Sequence, residues 1–292
     1  MILHVKIGSK LSSLKFPDSV EILDLSDCDI ESLEGFEFPV SLIELKLQHN
    51  RILELKNLKF PERLRVLNVN FNETKTFYRC DFPNLFRELD AYGNCFINLV
   101  EVTFPELEVL EISARSKGKI KNFRSFDFPS TLKVLKADSA FEDLWRTSFP
   151  KGLRELEVTV KGGHHRLCFP SALESLKLTF PKSCKSKFSH LDLPVTLLEL
   201  EITNGKCIEF DWKLPYLQKL VLKNFKGQII TPPSVESLSI SVEIGKWLKG
   251  ISITQRLEQF EINCLHGQFD KEIDVIIESQ SKRKQCTIEF FI

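Results

Sequence analysis

A phrase that returns about every 22 residues constrains this chain of 292 residues more than any other feature of its sequence. The segment FPVSLIELKLQHNRI begins at Phe38, and FPERLRVLNVNFNET begins at Phe60. The shared unit is (F/L)-P-x-x-L-x-x-L-x-L, and its central apolar residue occurs twelve times, at Leu23, Leu45, Leu67, Leu89, Leu110, Leu135, Leu156, Leu176, Leu200, Leu220, Leu238 and Phe260. Such a period predicts a repeat architecture in which each unit forms one layer.

The L-x-L step of each unit predicts a short strand, because alternate side chains of a strand point to the same side. One such strand cannot bury its apolar side alone, whereas stacked strands cover one another. The repeat therefore predicts a parallel sheet of about twelve strands. About a dozen residues per unit remain for the return path, which is short for a helix with two loops, and proline disfavours a helix at the residue before it.

Asparagines at a constant spacing predict a structural ladder beside these strands. Asn50, Asn72 and Asn94 follow three successive strands, and Cys28 takes the same place in the first unit. The chain must turn inward there, and an amide side chain offers a donor and acceptors to the backbone groups that the turn leaves away from water. The pattern fades after the fourth unit, where Arg115 stands in the equivalent place, so later units are expected to be less regular.

The fuller pattern is L-x-x-L-x-L-x-x-(N/C)-x-L. It reads Val20, Leu23, Leu25, Cys28, Ile30 in the first unit and Leu42, Leu45, Leu47, Asn50, Ile52 in the second. It resembles the leucine-rich repeat family, and the short period with a proline opening each unit is most similar to the bacterial-effector class and the FNIP-type repeats. The resemblance implies a leucine-rich repeat solenoid with a curved parallel β-sheet on the concave face and an extended, polyproline-like or short 3-10 convex face.

The last residues leave the repeat pattern. The segment FDKEIDVIIESQSKRK places Ile273, Ile276 and Ile277 at helical spacing with Asp270 as a helix N-cap, and CTIEFFI is typical of a final strand. The end of a repeat array needs a cover, because an open edge invites aggregation. We therefore expect a solenoid over residues 1–265 and a small C-terminal α/β cap, a helix plus a strand, over residues 266–292.

Composition excludes several classes of function. Lys plus Arg equals Asp plus Glu at 40 each, which argues against a nucleic-acid binder with a net basic face. The longest apolar runs are far shorter than a membrane span, and the start MILHVKIGSKL has no apolar core of signal-peptide length. We expect a monomer in the cytoplasm, with the nucleus as the alternative, that binds neither membranes nor nucleic acid.

Signatures of catalysis or metal binding are weak. His164, His165 and Cys168 lie in GGHHRLC, with Cys184 further on, which is only part of the paired spacing that a zinc site needs. None of the eight cysteines forms a C-x-x-C pair, and no nucleophile elbow or phosphate-binding loop is present. We therefore expect no catalytic residue, no metal and no cofactor, so that the protein is not an enzyme.

Charged residues flank the strand leucines on the predicted concave face. The acids are Asp24, Glu44, Glu88, Asp90, Glu111, Asp138, Glu155, Glu157, Glu199, Glu201 and Glu261, and the bases are Lys46, Lys136, Lys177, Lys219 and Lys223. Three strands carry an acid on both sides of one leucine. The pattern predicts either an ordinary solvated strand face or a mildly acidic surface that steers a basic partner.

Basic residues concentrate in the loops after the strands. They are Arg115, Lys117, Lys119, Lys121 and Arg124, then Lys161 and Arg166, then Lys182, Lys185 and Lys187. In a solenoid these loops share one rim, which serves either solubility or a partner. The partner-binding candidates from face and rim are Glu88, Asp90, Glu111, Glu155, Glu157, Glu199, Glu201, Arg115, Lys117, Lys119 and Lys121.

The resemblance implies a non-catalytic protein–protein interaction scaffold that binds an unidentified protein on its concave face and rim. The nearest analogy is the substrate-recognition part of F-box and leucine-rich-repeat ubiquitin-ligase receptors. No F-box precedes residue 14, so this role requires a missing N-terminal region or a partner chain. The alternative is the repeat region of an effector-like ubiquitin ligase that lacks its catalytic domain, since only 27 residues follow the repeats.

Overall fold

A computed structural model describes residues 1–5, 11, 14–96, 99, 102–114, 126–141, 147–160, 167–182, 192–205, 213–244, 248–253, 256–266 and 275–277. The chain forms two compact units, Met1–Leu153 and Arg154–Ile292, and each is described by itself.

Parallel strands in sequence order form the sheet of the first unit. The described strands are β1 (Ile2–His4), β2 (Ile22–Asp24), β3 (Glu44–Lys46), β4 (Val66–Asn68), β5 (Glu88–Asn94), β6 (Val109–Ala114) and β7 (Val134–Phe141). The repeat fixes their register, because the central leucines lie opposite one another, as in Leu45 and Leu67. Strand β1 precedes the first predicted unit and pairs with β2 through Leu3 and Leu23, so the sheet has one strand more here than the repeat predicts.

The second unit contains two parallel sheets. Its strands are β8 (Glu155–Val160), β9 (Ser175–Thr179), β10 (Glu199–Thr203), β11 (Lys219–Lys223), β12 (Gly227–Ile230), β13 (Ser237–Ile244), β14 (Leu248–Ile253), β15 (Gln259–His266) and β16 (Val275–Ile277). The main sheet has the order β8-β9-β10-β11-β13-β15, again with central apolar residues in register, such as Leu238 with Phe260. Every one of the twelve predicted strands is therefore present.

A small outer sheet of β12, β14 and β16 replaces part of the predicted C-terminal helix. Ile276 and Ile277 lie in β16, opposite Ser252 and Ile253 of β14, so the helical prediction is wrong for Val275–Ile277. The physical reason is that three consecutive β-branched residues favour a strand when a neighbouring strand offers its edge. Asp270, Ile273 and the predicted final strand lie outside the described residues, and the boundary at residue 265 stays a prediction.

The strands of the repeat send alternate side chains into an apolar core. Leu23, Leu45 and Leu67 have no exposed surface, and the next inward residues, Leu25, Leu47 and Val69, are equally buried. A tight turn leads into most strands of the repeat, where the carbonyl of a proline accepts a hydrogen bond from the N–H of the third residue after it. The N–H of Leu42 donates to Pro39 at 3.1 Å, and that of Leu64 donates to Pro61 at 2.9 Å.

The phenylalanines that precede the prolines stack between the layers of the first unit. Phe60, Phe82 and Phe104 are buried, and their ring centroids are 4.9 and 4.8 Å apart. Their burial and ring contacts show that these three phenylalanines fill the space between successive layers. Phe38, toward the N-terminal end of the same column, is only half-buried.

The return path contains no α-helix in the part of the chain that the structure describes. Its described segments consist of turns and extended chain, with isolated parallel bridges between Lys59 and Asp81 and between Cys168 and Asp192. This agrees with the shortness of the return path in each unit.

Candidate functional site

The outward face of the first unit's sheet carries polar side chains over the closed core. In β5, Glu88, Asp90 and Tyr92 point outward, while Leu89 and Ala91 between them are buried. The register places Asp90 between Asn68 of β4 and Glu111 of β6. The predicted face is therefore open on one side, as the alternation of the repeat requires.

Lysines neutralise several of the predicted acids. In the first unit, Lys136 Nζ lies 2.6 Å from Glu111 Oε1, and Lys46 Nζ lies 3.2 Å from Glu44 Oε1. Three lysines of the second unit pair with glutamates in the same way: Lys177 with Glu157 at 3.3 Å, Lys219 with Glu199 at 3.8 Å and Lys223 with Glu201 at 2.5 Å. The sequence prediction of an acidic face therefore overstates the charge, because a lysine of the same strand or of a neighbouring strand lies next to each of these acids.

Glu88 and Asp90 form no ion pair among the described residues. Asp90 instead accepts hydrogen bonds from the side-chain amides of Asn70, at 2.5 Å, and Asn68, at 3.4 Å. Burial raises the pKa of Asp90; the hydrogen bond from Asn70 opposes this shift, and repulsion from Glu111 adds to it. Two partly desolvated carboxylates with like-charged neighbours therefore lie two residues apart on this strand.

The pKa of Glu88 shifts in the same direction for a related reason. Desolvation by its surroundings raises it first, and repulsion from Asp90, Glu111 and Glu44 raises it further, against a smaller opposing effect of Lys136. The four carboxylates thus act on one another across β3, β5 and β6. A cation placed over this strand would relieve that repulsion.

Asp24, on the N-terminal side of the same face, behaves differently. Burial raises its pKa, but hydrogen bonds from the side chain and backbone of Ser26 and from His4 outweigh burial and lower the pKa overall. His4 Nδ1 lies 2.9 Å from Asp24 Oδ2. This carboxylate is therefore satisfied within the protein.

Exposed rings border the acidic strand. The rings of His49 and Phe71 stack with centroids 4.8 Å apart and planes 4° apart, and Tyr92 meets Phe71 edge-on at 5.6 Å. Phe71 and Tyr92 expose 37% and 43% of their surface. Sequence reasoning missed this group, although its signal was a column at 22-residue spacing, Asp27, His49, Phe71 and Gly93, that directly precedes the ladder residues.

Each member of that column has a left-handed backbone. The φ values are 55° at Asp27, 57° at His49, 52° at Phe71 and 73° at Gly93. Glycine is required at the last position for a second reason, since a Cβ there would lie 2.9 Å from Cδ1 of Phe71. The Phe71 ring therefore occupies the space that a side chain at position 93 would need.

The ladder residues bind the backbones of neighbouring units. Asn50 accepts hydrogen bonds from the N–H groups of Cys28 and Ile30 at 3.0 and 2.9 Å, and it donates to the carbonyls of Leu25 and Leu47 at 2.8 and 2.9 Å. The Sγ atom of Cys28 donates to the carbonyl of Val5 at 3.0 Å, which extends the same connection to the residue after β1.

Asn72 and Asn94 repeat these contacts one and two units later. Asn72 accepts from the N–H of Ile52 at 3.0 Å and donates to the carbonyls of Leu47 and Val69. Asn94 accepts from the N–H of Thr74 at 3.0 Å and donates to the carbonyls of Val69 and Ala91. Because Leu47 and Val69 each receive two amides, the hydrogen bonds run continuously from unit to unit.

A pair of asparagines in the second unit was missed in the sequence. Asn204 donates to the carbonyl of Phe180 at 2.8 Å, and Asn224 donates to the side-chain oxygen of Asn204 at 3.1 Å. Both have positive φ, at 62° and 53°. They follow β10 and β11 directly, where the eleven-residue pattern no longer matches, so only their position after a strand could have indicated them.

The remaining predicted residues divide between the second unit and the undescribed chain. Glu155 lies outward on β8, and Glu261 on β15 accepts hydrogen bonds from Ser239 and Asn263. The side chain of Asp138 lies outside the described residues, as do Arg115, Lys117, Lys119, Lys121, Arg124, Lys161, His164, His165, Arg166, Cys184, Lys185 and Lys187. Lys182 is described and exposed. The basic rim thus stays a prediction.

No chemically reactive centre emerges from the described residues. Burial raises the pKa of the Cys80 thiol to about 11, so it is not a ready nucleophile. No group of three or more His, Cys, Asp or Glu residues is arranged to hold a metal within the described part of the chain. Among the same residues, no helix has the length and hydropathy needed to cross a membrane.

Comparison with known proteins rests on structure alone. No protein-family model and no curated protein sequence matches the chain. The circular leucine-rich repeat protein CroV588 is similar with a TM-score of 0.56 and 17% identity over 90% of this chain and 46% of that one. TLR13 in complex with the RNA ssRNA13 gives a TM-score of 0.52 and 15% identity over 82% of this chain and 40% of that one.

A third similar structure is YopM from Yersinia enterocolitica WA-314, with a TM-score of 0.47 and 20% identity over 93% of this chain and 67% of that chain. CroV588 and TLR13 show that the chain has the leucine-rich repeat fold, as its period predicts. The chain spans less than half the length of these two structures. The bacterial-effector or FNIP-like class and the F-box connection stay predictions.

Proposed function

We propose that the chain is a non-catalytic protein–protein interaction scaffold whose partner binds the outward face of the sheet in the first unit. The observation that carries the proposal is the open face around β5, where Glu88 and Asp90 have no ion pair among the described residues. A rigid sheet supports such a role because its binding groups are ordered before the partner arrives, which lowers the entropic cost of association.

Charge favours a basic partner for this face. Complementary charge speeds encounter and disfavours wrong partners, and the carboxylates of β5, which have no ion pair among the described residues, provide it. The acids Glu157, Glu199 and Glu201 of the second unit are less suited, since each has a lysine within 4 Å on a neighbouring strand. The proposal therefore narrows the sequence hypothesis to the first unit.

Nucleic acid fits this face poorly. One of the similar structures contains an RNA, which is a property of that protein. Here Glu44, Glu88, Asp90 and Glu111 would face the phosphates, and nucleic-acid binding draws its affinity from Lys and Arg contacts to phosphate. A protein is the partner that the described charges favour.

A more specific role follows from the sequence resemblance alone. In it, the scaffold is the substrate-recognition part of a ubiquitin ligase, with the ligase contact supplied by a further region or a partner chain. The alternative is the repeat region of an effector-like ubiquitin ligase without its catalytic domain. Recovery of ligase subunits together with the partner supports the first role, and their absence from the recovered complex contradicts it.

Photo-crosslinking tests the binding face. Val66 lies outward on β4 between Glu44 and Glu88, so a photoreactive amino acid there samples the face without removing a charge or a hydrogen bond. The matched control replaces Glu31, an exposed residue of the return path. We expect a basic protein to be crosslinked in a native-cell extract from position 66 and not from position 31, and excess unlabelled chain to compete.

Two outcomes contradict the proposed function. Equal labelling from both positions indicates nonspecific contact, and labelling from position 31 alone places the partner on the opposite side. Failure to crosslink any protein from position 66, with the variant folded as the parent is, also contradicts it.

A further inference from the structure

Three exposed rings and two carboxylates form what is called here the aromatic–acidic patch: His49, Phe71, Tyr92, Glu88 and Asp90. The rings contact one another through the stacked and edge-on arrangements given above. The successive outward residues of β5 are Glu88, Asp90 and Tyr92. The Cα atoms of residues two apart in a strand are about 7 Å from each other. The patch therefore combines an apolar border with negative charge within the span of a few side chains.

Asn70 holds the two halves of the patch together. Its side-chain nitrogen donates to Asp90 at 2.5 Å, and its side-chain oxygen accepts the backbone N–H of Tyr92 at 2.7 Å. The Tyr92 N–H also lies 3.4 Å from the other carboxylate oxygen of Asp90. The Asp90 carboxylate is thus held against the backbone of Tyr92, whose ring packs edge-on against Phe71, and this order before binding reduces the ordering cost of association.

A guanidinium group matches this combination better than other common groups. It is planar and weakly hydrated, it stacks on aromatic faces, and it pairs with carboxylates through two hydrogen bonds. An ammonium group is more strongly hydrated and cannot stack in this way. The chain contains one such contact of its own, since the guanidinium of Arg79 lies 5.0 Å from the ring centroid of Tyr78.

The two carboxylates of the patch also lack a positively charged ion-pair partner among the described residues, which an arginine would supply. Burial raises the pKa of both Glu88 and Asp90, repulsion from Glu111 adds to the shift of each, and neither forms an ion pair in the part of the chain that the structure describes. The nearby acids Glu44 and Glu111 each have a lysine partner. The patch therefore carries excess negative charge, and its complement is a cation rather than a second apolar surface.

We propose that the aromatic–acidic patch binds an arginine side chain from a basic segment of the partner protein, stacked on the Tyr92 ring and paired with the Asp90 carboxylate. The inference rests on the proposed function, because it names the residue type through which the partner is held. A second copy of this chain is the competing occupant, since exposed rings also favour self-association.

Two peptides of equal charge serve as probes: a fluorescein-labelled peptide of six Gly-Arg repeats and its Gly-Lys counterpart. Fluorescence anisotropy gives the Kd of each for the full chain at 0.15 M salt. We expect the arginine peptide to bind at least about tenfold more tightly than the lysine peptide. Asp90→Asn and Tyr92→Ser should each weaken the arginine peptide about tenfold and leave the lysine peptide much less affected.

Matched controls separate the patch from general charge and exposure. Tyr78→Ser removes a ring with 37% exposure on the return path, and Glu199→Gln removes an outward acid that has a lysine partner. Neither should change the Kd for the arginine peptide by more than about twofold, which is less than 0.5 kcal/mol. Circular dichroism melting of every variant verifies that the fold is intact.

The outcomes distinguish this inference from the proposed function. Equal affinity for the two peptides, or equal effects of the patch variants and the controls, overturns the arginine assignment. A Tyr92-dependent dimer in sedimentation that excludes the peptide also overturns it and assigns the patch to self-association. If the photo-crosslinked partner is still captured by Asp90→Asn and Tyr92→Ser, the scaffold function stands and the inference fails; if no partner is captured by the parent chain, the proposed function fails first.

Discussion

Single polar side chains determine how closely successive units of this chain can stack. The sequence could predict the ladder of Asn50, Asn72 and Asn94. The turn after each strand leaves backbone N–H and C=O groups away from water, and only a side chain with both a donor and an acceptor can bind them. The ring stack beside them was missed, because its signal is the 22-residue spacing of its column and nothing in the local sequence marks a left-handed phenylalanine such as Phe71. Ion pairing was hidden for a similar reason, since it depends on which residue the register brings alongside.

Replacing Asn72 by Leu should lower the free energy of unfolding by about 1–3 kcal/mol, because it leaves the N–H of Ile52 without its side-chain partner and removes one of the two amides donated to each of the carbonyls of Leu47 and Val69. Urea denaturation measures the change. Asn84→Ala, at an exposed turn position, is the matched control and should be nearly neutral. Equal stability of Asn72→Leu and the parent contradicts a stabilising role of the ladder.

Replacing Gly93 by Ala should cost about 1–2 kcal/mol for the left-handed backbone alone, with a further cost from the contact of the new Cβ with the Phe71 ring. When Phe71 is also replaced by Ala, the destabilisation caused by the contact between the new Cβ and the ring should vanish. A double-mutant cycle from denaturation curves should therefore give a coupling energy above about 0.5 kcal/mol. Additive effects show that the ring and the glycine are independent.

Replacing Asp90 by Asn should raise the free energy of unfolding near neutral pH. A carboxyl whose folded pKa is raised stabilises the fold when protonated, and the parent loses this contribution as pH rises from the ordinary Asp value through the raised one. The difference between variant and parent should therefore shrink as pH falls through that window. Glu111 and Lys136 act on the same carboxyl, and Glu88 lies beside it on β5, so all three surround the substituted group in both proteins.

Replacing Asp24 by Asn should change the free energy of unfolding in the opposite direction. The lowered pKa of Asp24 means that the ionised form stabilises the fold, so the variant should be less stable than the parent at neutral pH and should approach it in acid. Denaturation curves at a series of pH values measure both variants. The same sign of change for the two substitutions would contradict the electrostatic account.

At the scale of elements, the strands of the repeat were predictable and the outer sheet was not. Period-2 alternation around each leucine is a local signal, so all twelve strands follow from the sequence. Strands β12, β14 and β16 form because three successive units each place an isoleucine-containing segment at the same position of the return path. There the three segments can pair with one another. For Val275–Ile277 the local spacing also fits a helix, and pairing with β14 decides between the two.

The phenylalanine column should behave as one packed element of the first unit. Phe82 contacts Phe60, Phe86 and Phe104 with ring centroids 4.7 to 4.9 Å apart. Phe82→Ala should therefore cost about 3–5 kcal/mol, as for other large-to-small core substitutions. Thermal or urea denaturation measures it.

Phe16→Ala, at the half-buried N-terminal end of the column, is the matched control and should cost clearly less. Similar losses for the two variants would show that the column does not form a continuous core.

On the scale of the whole molecule, a net charge of zero conceals an uneven distribution. The leucine-rich repeat fold followed from the period, but the location of a binding face did not, because the sequence marks acids in both units and only the register shows which ones lysines neutralise. What distinguishes the first unit is the strand that carries Glu88, Asp90 and Tyr92 beside the rings of His49 and Phe71.

Hydroxyl-radical footprinting of the chain, alone and bound to the partner recovered from position 66, tests the central claim most directly. It measures the oxidation rate of individual side chains, and Tyr78 on the return path has the same 37% exposure as Phe71 on the patch. The account predicts that binding sharply lowers oxidation of Phe71 and Tyr92 and leaves Tyr78 unchanged. Protection of Tyr78 with unchanged rates at Phe71 and Tyr92 would contradict it.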